Sequence, residues 1–279
     1  MKKSHSGFFY LAFCALSILH SSTSMAQGDL MIYPKRIVFE GAKRSQEINL
    51  ANSGKDTARY MLSVVQIRMK EDGSFEQIAE PDPGQSFADK YFRIFPRNVV
   101  LGPNEAQTVK IQLTNTGELQ AGEYRSHLYI RAEAEKTPLG EKEHPIDSTT
   151  ISVKLVAVFG ISIPVIIRSG ENTAEISLSD ISFQQPKDTL PSVKFTFNRS
   201  GNMSVYGDIA VDYISPEGKT TRVGLARGLA VYTPTTKRFF NLALNQVAGV
   251  DYHKGSLHLS YSYDATKNEK LVEEKISLR

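Results

Sequence analysis

The run Ile151-Ser152-Val153-Lys154-Leu155-Val156-Ala157-Val158-Phe159-Gly160-Ile161-Ser162-Ile163-Pro164-Val165-Ile166-Ile167 is the longest β-branched stretch of the chain. Successive side chains of an extended strand point to opposite faces. Ile151, Val153, Leu155, Ala157, Phe159, Ile161 and Ile163 therefore share one face, and Ser152, Lys154, Val156, Val158, Gly160 and Ser162 share the other. One face is almost wholly apolar and must be covered. The cover is either a second layer of its own fold, which makes this the last core strand of a domain, or a guest segment. Ser152 and Lys154 favour a strand with only one face to be buried.

Working outward, the segment Glu133 to Thr150 carries charge, two prolines and no apolar period, which predicts a long loop leading into the run. Further upstream, strand-like alternation recurs over Gln46 to Leu50, Tyr60 to Arg68, Tyr91 to Phe95, Gln107 to Leu113 and Gly122 to Arg131. Glu71-Asp72-Gly73-Ser74 and Leu101-Gly102-Pro103-Asn104-Glu105 supply turns between them. Downstream, the polar Arg168-Ser169-Gly170-Glu171-Asn172 reads as a linker. It precedes strand patterns at Thr173 to Phe183, Val193 to Phe197, Val205 to Ile214, Lys219 to Arg227, Lys237 to Leu244 and Ser256 to Tyr263. Helical periodicity is nearly absent, and short strands at this spacing predict an all-β chain of two sandwiches, residues 27–168 and 169–279.

The composition agrees. The chain has 279 residues, 41% hydrophobic and 23% charged, enough for two cores of ordinary size. Its net charge of +3 is too small for the basic footprint of a nucleic-acid binder. Residues 1–26 read as a secretory signal peptide: Lys2 and Lys3, an apolar run from Phe8 to Leu19 too short to span a bilayer, and small residues at Ser24-Met25-Ala26. Cleavage after Ala26 takes the net charge to +1 and removes Cys14, the one cysteine, so disulfides and thiolate metal sites are excluded from the mature chain. No later stretch is long and apolar enough to insert in a membrane.

Motifs for chemistry are missing. The sequence holds no phosphate loop, no His-Glu-x-x-His, no Gly-x-Ser-x-Gly and no dinucleotide fingerprint. His253 and His258 sit five apart around Gly255, which suits a hairpin better than a metal site, and His127 reads as a residue on the solvent face of a strand. The expectation is a protein without catalytic residues, metal or cofactor.

Met31-Ile32-Tyr33-Pro34-Lys35-Arg36-Ile37-Val38-Phe39-Glu40-Gly41, with the later Leu50-Ala51-Asn52, resembles the opening of periplasmic pilus-assembly chaperones of the PapD-like family. Phe95-Pro96-Arg97 followed by Leu101-Gly102-Pro103-Asn104-Glu105-Ala106-Gln107-Thr108-Val109 is similar to that family's middle signature. The likeness covers nearly all of 27–168, whereas in the second half mainly length, strand pattern and position agree.

The resemblance implies two immunoglobulin-like β-sandwich domains in an L, with a cleft between them, and no cofactor. It implies a role in the periplasm, holding pilus or fimbrial subunits by donor-strand complementation and delivering them to an outer-membrane usher. The donor residues it implies are Ile151, Val153, Leu155, Ala157 and Phe159, whose alternate side chains would fill the groove of an incomplete subunit. Arg36 matches the family's anchor for the subunit's terminal carboxylate, a task suited to a planar guanidinium. The family's partner Lys aligns near Phe159 or Gly160, where this chain has none, and Lys154 is the substitute on the same run. The alternative is a structural pilus or adhesin subunit, which would need an alternating apolar extension at its mature N-terminus. Gln27-Gly28-Asp29-Leu30 is too short and polar for that. An enzyme built on sandwiches would need a carboxylate pair or metal set that the sequence does not offer.

Overall fold

The computed structural model describes residues 30–133, 160–187, 189–263 and 270–278. They form two immunoglobulin-like sandwiches. In the first, one sheet has the order β1 (Leu30–Tyr33), β3 (Ser45–Asn52), β9 (Ala106–Leu113), β7 (Phe92–Phe95). The facing sheet has the order β2 (Ile37–Phe39), β11 (Gly160–Ser169), β10 (Gly122–Glu133), β4 (Ala58–Val65), β8 (Asn98–Leu101). The chain crosses from one sheet to the other between β1 and β2, at a cis Tyr33–Pro34 bond. All neighbours are antiparallel except β2 and β11, which run parallel with Ile37 beside Val165 and Phe39 beside Ile167.

Alternation decides which side chains meet between the sheets. Along β9, Val109 and Ile111 are fully buried while Thr108, Lys110 and Gln112 are exposed. Ile48 and Leu50 of β3, Leu62 of β4, Leu128 and Ile130 of β10 and Val165 of β11 complete this core. Each such side chain contributes about 1.5 to 3 kcal/mol by leaving water. The Asn52 side chain, 1% exposed, closes the rim by donating to the carbonyls of Asp56, Leu101 and Gly102. The turn at Gly102 holds Asn104 in the left-handed region, and the Gly102 amide donates to Glu105 Oε2 at 2.7 Å. The residues that carry the resemblance thus include the ones that lock this turn.

The second sandwich faces β12 (Ala174–Gln184), β13 (Ser192–Gly201) and β16 (Lys237–Ala243) against β15 (Thr220–Val231), β14 (Val205–Ile214), β17 (Ser256–Ser262) and β18 (Lys270–Ser277). Phe195 and Phe197 of β13 pack in its core with Ile209, Val211, Leu257 and Tyr261. A hairpin of β5 (Ile67–Met69) and β6 (Phe75–Gln77) leaves the first sandwich and touches the second. The Phe239 amide donates to the Glu71 carbonyl at 2.6 Å and the Thr235 hydroxyl to the Met69 carbonyl at 2.7 Å.

Two expectations need correction. The pattern over Tyr60 to Arg68 divides at Gln66 into β4 and β5, because the chain leaves the sheet there to build the hairpin. Arg168 and Ser169 are not linker residues but the end of β11, where Glu123 and Arg168 pair across the sheet.

Candidate functional site

β2, β10 and β11 each present one face to the first core and the other toward the second sandwich. On β10, Tyr124, Leu128 and Ile130 fill the core, leaving Glu123, Arg125 and His127 on the outer face. On β11, Ile163, Val165 and Ile167 do the same, leaving Pro164, Ile166 and Arg168. Val38 holds the corresponding place on β2, with Arg36 immediately before the strand. Met69 and Ile166 meet Ala230 and Tyr232 of the second sandwich in a small apolar cluster, with Val38 and Tyr206 at its margin.

Beside that cluster lies a buried ionic network. The Glu123 and Arg125 side chains are almost completely shielded from solvent. Glu123 Oε2 accepts from Arg168 Nε at 3.1 Å and from the Ser204 amide at 3.0 Å, while Oε1 accepts from the Ser204 and Thr233 hydroxyls. Arg125 donates to the Thr233 carbonyl at 2.9 Å, lies 4.4 Å from the centre of the Tyr232 ring and is 3.8 Å from Glu123 Oε1. Arg168 also pairs with Glu40 and donates to the Ser204 carbonyl. Charges removed from water persist when paired and hydrogen-bonded, and here the pairing runs from one sandwich to the other.

His127 is not on a solvent face. It is 4% exposed, with its ring about 6 Å from those of Phe75 and Tyr232, because the hairpin and the second sandwich cover this part of β10. Burial, reinforced by the Arg125 charge, pushes its pKa down to about 3. The unfolded chain therefore binds a proton that the folded chain does not, in the window between that value and the ordinary value near 6.5. The contribution is fully present above the upper limit and is lost as pH falls through the window, at about 1.4 kcal/mol per pH unit. Urea unfolding at pH 7 and pH 5 is expected to show the wild type losing about 2 kcal/mol more than His127→Phe over that interval; equal losses would contradict the assignment.

Arg36 stands immediately before β2 with its guanidinium over the Tyr206 ring of the second sandwich, 4.5 Å from the ring centre. Its Nη1 is buried and has no hydrogen-bond partner among the described residues. Burial lowers its pKa below the ordinary value, as does the Arg168 charge, while Tyr232 and Glu123 act in the opposite direction. An arginine keeps its proton under such shifts, so the site offers a buried cationic donor without an acceptor.

Continuing the β2–β11 register by one residue sets Pro164 beside Arg36, so the strand neighbour of the anchor candidate carries no charge. Gly160 is exposed, and a Cβ there would fall within 2.4 Å of the Tyr129 ring. Lys154, Ile151, Val153, Leu155, Ala157 and Phe159 lie outside the described residues. Where β11 becomes described, its outer edge is paired with β2 only at Val165, Ile166 and Ile167. Among the described residues no strand adjoins Gly160 to Ile163 on that side, and Ile161 is 40% exposed.

Sequence reasoning missed Glu123, Arg125, Arg168, Tyr206 and Tyr232. The available signal was the repetition Glu123, Arg125, His127 at every second position of an otherwise apolar strand. Among the described residues no cluster of three or more His, Cys, Asp or Glu side chains forms a metal site.

The fold and site define a two-sandwich protein in which, among the described residues, one strand edge has no neighbour and Arg36 Nη1 has no acceptor where the sandwiches meet. No family model and no curated protein matches the chain. Among solved structures it is similar to the YadV chaperone, at 12% identity over 90% of this chain and 100% of that one, with a TM-score of 0.42. It is similar to the CsuC–CsuE chaperone–tip adhesion subunit pre-assembly complex of Acinetobacter baumannii (11% identity, 89% and 97% covered, TM-score 0.44). A third similar structure is the Salmonella enterica SafA pilin in complex with the SafB chaperone (12% identity, 90% and 96% covered, TM-score 0.41).

Proposed function

We propose that this protein is a periplasmic chaperone that holds pilus or fimbrial subunits by lending them the strand Ile151 to Phe159 and passes them to an outer-membrane usher. The observation that carries the reading is Arg36: a half-buried arginine set over Tyr206 of the second sandwich, with a buried Nη1 lacking any acceptor among the described residues. A subunit's terminal carboxylate supplies the missing acceptor. The edge of β11 at Gly160 to Ile163, which no strand among the described residues adjoins, continues directly from the proposed donor residues, so a guest strand seated beside them would extend the sheet. The signal sequence accounts for delivery to the compartment.

The charge-assisted contact is assigned to Arg36, with Lys154 of the donor run as the substitute second basic residue. Co-expression in an exporting host with a fimbrial subunit from the same gene neighbourhood is expected to give a soluble 1:1 complex. Arg36→Ala is expected to weaken that complex by about 1.5 to 3 kcal/mol in titration calorimetry. Wild-type affinity in the variant would remove the anchor role, and failure of the wild type to form a complex would remove the chaperone reading.

A further inference from the structure

Two arginines of the first sandwich lie over tyrosine rings of the second, and the difference between them is informative. Arg125, over Tyr232, has an unpartnered buried Nε of its own but donates to the Thr233 carbonyl and lies beside the Glu123 carboxylate, so its charge is bound into the network between the sandwiches. Arg36, over Tyr206 at 4.5 Å, has a buried Nη1 that donates to nothing among the described residues. Attraction between a guanidinium and an aromatic ring holds the cation in place without a hydrogen-bond acceptor. The Tyr206 ring is such a contact for Arg36, whose Nη1 has no partner among the described residues.

Tyr206 is itself held firmly. It pairs with Ala230 in the β14–β15 ladder and packs at the margin of the cluster formed by Met69, Ile166 and Tyr232. Its hydroxyl rests against Gly228, whose φ is +70° and whose amide donates to Asp208 Oδ1 at 2.9 Å. A Cβ at position 228 would come within 2.9 Å of that hydroxyl, so the glycine makes room for the tyrosine in its present place.

We infer that Tyr206 is a positioning residue for the carboxylate site: from the second sandwich it orients the Arg36 guanidinium for an incoming terminal carboxylate. This rests on the anchor reading of Arg36. It gives the second sandwich a part in recognising the end of the guest chain, at a site where the strand neighbour of Arg36 is the uncharged Pro164.

The test uses a fluorescent 12-residue peptide of alternating Val and Thr with Lys at its N-terminus, made with a free terminal carboxylate and as the terminal amide. Wild type is expected to bind the acid about tenfold more tightly than the amide, the size of one charge-assisted contact. Arg36→Ala is expected to abolish that preference. Tyr206→Leu is expected to reduce it below about threefold, and Tyr206→Phe, which keeps the ring, to retain it. A full preference in Tyr206→Leu together with its loss in Arg36→Ala overturns the positioning role and leaves the anchor standing. A preference that survives Arg36→Ala, or none in the wild type, overturns the anchor itself. A further readout needs no Tyr206 variant: in the wild-type side-chain NMR spectrum, the Arg36 Nε–H signal, assigned by its loss in Arg36→Lys, is expected upfield of free arginine because of the ring current. A signal at the free-arginine position overturns the inference.

Discussion

Replacing Glu123 with Ala is expected to cost about 3 to 5 kcal/mol of stability, the loss seen when one member of a buried ionic cluster is removed. The size follows from what is left behind. Arg125, almost entirely shielded, loses the one carboxylate paired with it among the described residues, Arg168 keeps the exposed Glu40 and the Ser204 carbonyl, and the Ser204 amide loses its acceptor. An uncompensated cation in a low-dielectric interior is more costly than the pair was beneficial, because the penalty of desolvation is no longer offset. The effect extends beyond one domain, since Ser204 and Thr233 belong to the second sandwich and bind Glu123 of the first. Chemical denaturation should show the loss directly, and small-angle scattering should show a broader distribution of arrangements of the two sandwiches. A change below about 1 kcal/mol, the range of an exposed ion pair, would contradict the network described for Glu123.

The sandwiches were legible in the sequence because their strands alternate. In β3 and β9 the buried residues recur at every second position, and the hairpin turn at Glu71 to Ser74 was identified by its composition. β1, β2 and β8 are only three or four residues long, too short for a period to establish itself, and the edge strand β18 buries almost none of its side chains. The anchor candidate Arg36 was found through the opening motif, not through periodicity.

The polar part of the site was hidden for a different reason. Glu123, Arg125 and His127 alternate with Tyr124 and Leu128, and a strand with charges on one face ordinarily shows that face to water. Only the packing of a second sandwich and of a hairpin against the face turns these residues into buried ones. That is a tertiary fact with no local trace. Arg168 was read as linker for the same reason, since its partners Glu123 and Glu40 are distant in sequence.

The second large effect is expected at Leu155. Burying Ile151, Val153, Leu155 and Phe159 in a subunit's groove is worth roughly 6 to 12 kcal/mol before the ordering of the strand is subtracted. Leu155 is the middle of that series. A carboxylate in its place puts an unpaired charge in an apolar pocket, a penalty of several kcal/mol that outweighs the remaining contacts. The free protein does not rely on that side chain if the face is reserved for a guest, so Leu155→Glu should lose its partner and keep its own fold.

The most direct test is accordingly a single co-purification. The wild type and Leu155→Glu are each co-expressed with the same fimbrial subunit, the subunit recovered per molecule of this protein is measured, and the thermal midpoint of each free protein is recorded alongside. Recovery near one to one for the wild type and near zero for the variant, with midpoints that coincide, is the predicted result. Undiminished recovery, or a variant that no longer folds when alone, would mean that the oily face of residues 151–159 belongs to the protein's own core.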